Sequence, residues 1–316
     1  MERYTEEIRK RAKQLLESGK VDLFIGYTKG SVPMMNHPVL IRDPQEVDKL
    51  HWDSHCGLNL CNYLTKRTER IGIVANGCNS RNMVTHILEN QIKREQLYIV
   101  GIPCTGMIDH RAVARAVGQR DILAVEDQGE ELLVRGKDFE EKFKKQAFLQ
   151  RNCVTCRHHN PVLYDEMIGS VIEETEKTSR YADVEAVEAM GAEKKWAFFK
   201  QLISRCIRCY ACRDACPLCY CPTCFVDESR PQWVGKSSDL TDTMTFHFLR
   251  AYHCAGRCTD CGACERVCPV GISMRQFTRK LNKDAESLFS WEAGLTLEQR
   301  PPLDTYRPDD YNEFIK

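Results

Sequence analysis

Residues 1 to 18 carry apolar side chains at helical intervals, with Ile8, Ala12, Leu15 and Leu16 on one face of a predicted helix. Three uniformly apolar runs follow, VDLFIGY (21–27), RIGIVANGC (70–78) and QLYIVGIPC (96–104), each suited to a buried strand. Between the last two, SRNMVTHILENQIKRE sets Met83, Ile87 and Ile92 near one face of a helix, with Ser80 placed to cap its start. Strand, helix and strand in one short stretch make a βαβ unit, which implies a parallel sheet. MIDHRAVARAV (107–117) reads as a further helix and DILAVEDQ (121–128) as a further strand. Beyond 137 the pattern changes. KDFEEKFKKQAFL is helical, RNCVTCRHHNP is a loop, and 171–205 is charged and helical. After residue 290 periodicity fades in a tail bearing Pro301, Pro302 and Pro308, expected to lie against a neighbouring surface.

This pattern divides the chain into an α/β domain with a parallel sheet over 1–170, a helical connector over 171–200, a second domain over 201–285 and a tail over 286–316. The chain has 316 residues, enough for two domains that each bury a core. Lys plus Arg and Asp plus Glu both number 45, so the chain offers no net field for a phosphate backbone, and nucleic acid is not an expected partner. The N-terminus is charged and amphipathic rather than signal-like, and no run approaches the roughly 18 apolar residues of a membrane span. The expectation is a soluble, cytoplasmic chain.

There are 18 cysteines. A cytoplasmic chain is an unfavourable place for disulfides, and clustered thiolates repel one another unless a metal neutralises them. Cys206-x2-Cys209-x2-Cys212-x3-Cys216-Pro217 recurs as Cys258-x2-Cys261-x2-Cys264-x3-Cys268-Pro269. Three thiolates on one tight loop can reach three irons of a cubane, while the fourth starts a helix pointing away and ligates the other cluster. One [4Fe-4S] cluster would then take Cys206, Cys209, Cys212 and Cys268, and the second Cys258, Cys261, Cys264 and Cys216. A zinc ribbon also uses CxxC pairs, but needs neither a third cysteine in register nor the following proline. The stretch 201–285 thus resembles the two-cluster bacterial ferredoxin domain, an α+β fold, with an insert over 217–257. Within or beside that insert, Cys219, Cys221, Cys224 and Cys254 are surplus. A third iron–sulfur site, a structural zinc, or plain burial would each account for them.

Six cysteines precede residue 160. GIPCTGMID (101–109) after a βαβ unit, followed about 50 residues on by RNCVTCRHH (151–159), resembles the coenzyme F420 hydrogenase/dehydrogenase beta-subunit family over about residues 20–170. The resemblance implies electron movement through a [4Fe-4S] cluster and a bound FAD. It further implies a place in a hydrogenase, a formate dehydrogenase or a related anaerobic redox complex. Here the stretch after the CxxC pair is acidic and poor in glycine, and carboxylates oppose a pyrophosphate. GCNSR (77–81), the other possible anion loop, has one glycine. The N-terminal cysteines are therefore expected to build a cluster of their own. Cys78 and Cys104 follow predicted strand ends at one sheet edge, and Cys153 and Cys156 can close over it. Cys56 and Cys61 are substitutes in that set, ligands of a further site, or ordinary buried residues. His158 and His159 read as solvated, and the pair Asp109–His110 as structural, so no catalytic residue is assigned.

The function expected is an iron–sulfur electron-transfer subunit that relays single electrons. One partner would be a flavoprotein, hydrogenase or formate dehydrogenase, and the other a heterodisulfide reductase-like enzyme. A flavin- or deazaflavin-dependent oxidoreductase with its own N-terminal catalytic pocket is the alternative, and a zinc scaffold a third reading. Trp291, Tyr306, Tyr311 and Phe314 are expected to anchor the tail to a partner.

Overall fold

The computed structural model describes residues 2–174 and 180–304. Helix α1 (Glu2–Glu17) lays Ile8, Ala12, Leu15 and Leu16 into the core beside a five-stranded sheet. The strands are β1 (Leu23–Thr28), β2 (His37–Ile41), β3 (Ile71–Ala75), β4 (Leu97–Gly101) and β8 (Glu166–Met167), with α2 (Gly77–Leu88) crossing between β3 and β4. Their order is β2-β1-β3-β4-β8. All neighbours are parallel except the β1–β2 edge pair. In the centre Ile71 faces Leu97, Ile73 faces Ile99 and Ala75 faces Gly101. β3 is buried along its whole length, which is why its sequence is apolar without alternation. Each large apolar side chain buried there contributes about 1.5–3 kcal/mol.

The helix after β3 begins earlier than expected. Asn76, not Ser80, caps it, its side chain accepting from the Asn79 amide at 3.1 Å. Ser80 is already one turn inside, its hydroxyl donating to Gly77 O at 2.9 Å. Cys78 consequently sits in the first turn of a helix rather than on a strand end.

Helix α3 (His110–Ala116) leads into β5 (Ile122–Asp127), β6 (Glu131–Gly136) and β7 (Glu140–Lys144). These form a separate antiparallel sheet, so the strand expected over 121–128 exists but does not extend the parallel one. The helix expected over 137–149 is instead β7 followed by a short 3-10 turn. Phe139 and Phe143, four apart, satisfy a helical period and a strand alternation equally, and both pack on this small sheet's core.

The chain continues through α4 (Arg151–Val154), α5 (Ala182–Glu188), α6 (Ala192–Ile203), α7 (Ala211–Asp214), α8 (Leu240–His253), α9 (Ala263–Arg266) and α10 (Arg275–Phe289). Among the described residues the stretch 201–285 holds helices and turns but no strand, so the expected α+β character is not seen. Its core gathers Val226, Val234, Phe246, Ile272 and Met274 around Cys212 and Cys268. Helix α8, from the insert, packs against α6 and α10. Trp291 is no free anchor, being buried with its Nε1 donating to Gly256 O at 2.6 Å. Tyr306, Tyr311 and Phe314 lie outside the described residues. No helix among the described residues is long and apolar enough to cross a membrane.

Candidate metal centres

Beyond the carboxyl ends of β3 and β4, Cys78, Cys104, Cys153 and Cys156 line one cavity of about 50 Å3. Two devices bring the second pair to the first. The Cys104 amide donates to His159 O at 2.8 Å, and His159 Nδ1 meets Cys104 O at 2.9 Å. Gly106, at φ +106°, turns the chain so that its amide points to Cys104 Sγ (3.4 Å) while Met107 N points to Cys153 Sγ (3.3 Å). A side chain at Gly106 would meet Leu149 at 2.8 Å. Burial pushes all four thiols up, Cys104 to about 12, and neighbouring sulfurs push Cys78, Cys104 and Cys156 further. Holding such a set as thiolates requires a cationic centre among them. Cys56 and Cys61 belong to the main core, and Cys56 also borders this cavity.

The two CxxCxxCxxxCP motifs, 52 residues apart, fold alike. The second residue after the leading cysteine is left-handed in both, Arg208 at φ +50° and Asp260 at φ +59°, and so is the fourth, Tyr210 at +60° and Gly262 at +73°. The four-residue helices α7 and α9 then start at matching positions. Three of those four left-handed residues are not glycine, and backbone of this kind persists only where its surroundings demand it. The effect is to aim amides at sulfur. Arg208 N donates to Cys206 Sγ at 3.4 Å, the Asp260 amide bonds Cys258, and Ile272 N donates to Cys268 Sγ at 3.3 Å. The charge neighbourhoods cross between motifs: Cys206 and Cys212 feel Cys268, whereas Cys258 and Cys264 feel Cys216. Burial raises the thiols of Cys206, Cys212, Cys258 and Cys264 too, Cys258 to about 12. Buried thiols receiving N–H···S bonds are the donor set of an iron–sulfur site, and the residues present fit that group.

The four surplus cysteines do not meet as one set. Cys219 and Cys254 lie beside Cys216. Cys224 packs on the apolar core near Cys212, and Cys221 is exposed. Among the described residues, no group of three or more His, Cys, Asp or Glu side chains is arranged to hold a single metal ion.

Helix α8 contributes two groups that cysteine spacing could not reveal. His247 Nε2 lies 3.2 Å from Cys206 Sγ. Burial, then the charges of Arg250 and Arg208, lowers its pKa to about 4, so it is a neutral imidazole. Arg250 lies about one turn further along the same helix. On the other side Glu292 receives Arg81 (3.0 Å), Arg157 (2.6 Å), Arg180 (2.7 Å) and His158 (2.9 Å). His158 and His159 are therefore bound within the chain and not solvated. Asp109 is the cap of α3, accepting from Arg111 N and Ala112 N, in keeping with a structural Asp109–His110 pair.

Residues 202–272 match the family described as a 4Fe-4S dicluster domain. The chain is 22% identical to the F420-dependent formate dehydrogenase subunit beta of Methanocaldococcus jannaschii, over 92% of each chain. It is 24% identical to the F420-dependent formate dehydrogenase 1 subunit beta of Methanococcus maripaludis, over 92% of this chain and 91% of that one. The chain is thus similar along most of its length to formate dehydrogenase beta subunits, and the 4Fe-4S dicluster match lies on its C-terminal side. A solved chain of the F420-reducing [NiFe] hydrogenase complex from Methanosarcina barkeri matches at a TM-score of 0.37 and 15% identity, over 46% of this chain and 56% of that one, too loosely to carry an argument.

The GCNSR stretch is the first turn of α2, and a Cβ at Gly77 would meet His158 O at 2.1 Å, so the chain's own backbone packs closely against that turn. The sheet-bearing part and the 4Fe-4S dicluster stretch meet through direct bonds. Asn152 Nδ2 donates to Cys261 O at 3.1 Å, Arg81 Nη1 to Thr259 O at 3.4 Å, and His86 Nε2 lies 2.7 Å from Pro217 O. Gly262 permits the first of these, since a Cβ there would strike Asn152 at 2.3 Å.

Proposed function

We propose that the chain is the iron–sulfur relay subunit of a redox complex. In this reading Cys206, Cys209, Cys212 and Cys268 hold one [4Fe-4S] cluster. Cys258, Cys261, Cys264 and Cys216 hold a second, and Cys78, Cys104, Cys153 and Cys156 a third. The bound clusters supply one-electron storage, at about −400 mV for ferredoxin-type centres. The observation that carries the reading is the position of Cys261. It belongs to the second set, yet it lines the cavity of the N-terminal set and is tied by its carbonyl to Asn152, the neighbour of Cys153. The three sets therefore follow one another, N-terminal, second, first. In the first set Cys209 is exposed. Backbone amides and His247 direct hydrogen bonds at the sulfurs, the arrangement that tunes such sites.

The relatives are named as beta subunits of formate dehydrogenases, which supports a formate-oxidising partner on one side. A second redox enzyme would stand on the other, and a heterodisulfide reductase-like complex is one candidate. Anaerobic purification followed by iron, sulfide, zinc and flavin analysis tests the proposal. About twelve irons per chain are expected, four for each cubane. Stoichiometric zinc with fewer than four irons would end it, and one tightly bound flavin would favour a catalytic N-terminal pocket instead.

A further inference from the structure

Among the described residues six arginines are buried: Arg81, Arg180, Arg208, Arg250, Arg275 and Arg279. Five have a carboxylate within ion-pair reach, namely Glu292 for Arg81 and Arg180, Asp242 for Arg208, and Asp260 for Arg275 and Arg279. Among the described residues Arg250 has none, although it is only 6% exposed. Its Nη2 donates to Cys212 O at 2.9 Å, and its Nε is buried without a partner. A guanidinium does not shed its proton, and burying one without a counter-charge costs several kcal/mol. Some anion must therefore offset it. Burial opposes its charge, and the sulfurs of Cys216, Cys264, Cys254 and Cys212 are the groups that favour it. Cys212 lies in one ferredoxin-type set, and Cys216 and Cys264 in the other. Arg250 also stands on α8, in the insert that separates the two motifs.

We propose that Arg250 is a fixed cation between the two C-terminal clusters that raises the reduction potential of both. It is a positioning residue in the electrostatic sense: it touches no reacting atom, and it stabilises the additional negative charge of a reduced cluster on either side. The inference rests on the cluster reading above. A cation that acts on sulfurs of both sites favours the reduced state of each, and so keeps their potentials matched more closely than a charge beside one of them would.

The test is a redox titration of the full chain, purified anaerobically and followed by electron paramagnetic resonance, with iron and sulfide determined on the same samples. Wild-type protein with fewer than eight irons would overturn the cluster reading itself. With iron present, Arg250→Met is expected to lower the reduced-to-oxidised ratio of both C-terminal clusters at least tenfold at a fixed potential. That is 59 mV for a one-electron couple. Arg250→Lys, which keeps the charge, is expected to stay close to wild type. An Arg250→Met protein with full iron and ratios within twofold of wild type overturns the inference, as does a shift confined to one cluster. If Arg250→Met loses iron, the lysine variant decides. Iron and potentials restored by lysine support the charge role, and iron still lost shows that Arg250 serves only the packing of α8.

Discussion

Glu292 is the residue on which the joint between the sheet and the C-terminal helices turns. Burial alone would raise its carboxyl, but the hydrogen bond from His158 and the charges of Arg81 and Arg180 hold it well below the usual carboxylate range. A group depressed in the folded state adds stability that is complete above its unfolded value of about 4.5 and is lost as pH falls toward the folded one. Glu292→Gln leaves buried Arg81 without a carboxylate and Arg157 and Arg180 with only Glu286, and should cost about 3–5 kcal/mol at pH 7, read from the denaturant midpoint. Because the unfolded wild type starts to take up the proton first, the gap between the two proteins should narrow by about 1 kcal/mol at pH 4. A gap of under about 1 kcal/mol at pH 7 would mean that the network is no more than a surface arrangement.

At the scale of elements, the insert separates what sequence shows from what only packing shows. Its cysteines were visible as a surplus, and spacing alone made Cys219, Cys221, Cys224 and Cys254 a possible set. Packing parts them, because Cys254 ends α8 beside Cys216 whereas Cys224 turns toward the core around Cys212. Cys216→Ser should therefore remove about four irons, while Cys221→Ser and Cys224→Ser should leave iron content unchanged; loss of metal from the last two would restore a separate site in the insert. The motifs themselves were fully legible, since each needs only contiguous residues. So were α1, β1, β3 and β4, whose apolar periods admit one reading. The 137–149 stretch was not, because Phe139 and Phe143 fit two periods, and neither was the edge strand β2, whose HPVLI is too short and half-exposed to stand out. His247 and Arg250 sit three apart on α8 and would have shown as one polar face had the insert been read as a helix. Arg81 and Glu292, over 200 residues apart, carried no local signal at all.

For the molecule as a whole, the consequence of the sequence of sites is directional. The N-terminal set lies over the sheet edge formed by β3 and β4, the second set borders it through Cys261, and the first ends at exposed Cys209 with Ile207 exposed beside it. Asn152 and Arg81 fix the first joint by bonding backbone carbonyls on either side of Asp260, so the separation there does not depend on flexible side chains in solvent. On the proposed relay an electron entering at the N-terminal set would leave near Cys209, and a small-molecule reductant would meet that exposed end directly. Replacing both Cys153 and Cys156 by serine should consequently remove about four of twelve irons and leave the two ferredoxin-type signals intact. In the complex isolated anaerobically from its source, that variant should no longer pass electrons from the partner's substrate to the cluster nearest Cys209. A low-potential dye should still reduce that cluster at the wild-type rate. The iron count shows that only one site has gone, and the dye shows that the exposed end still works. If the partner's substrate still reduces the outer cluster in the variant, electrons enter elsewhere and the N-terminal set is not the head of the relay.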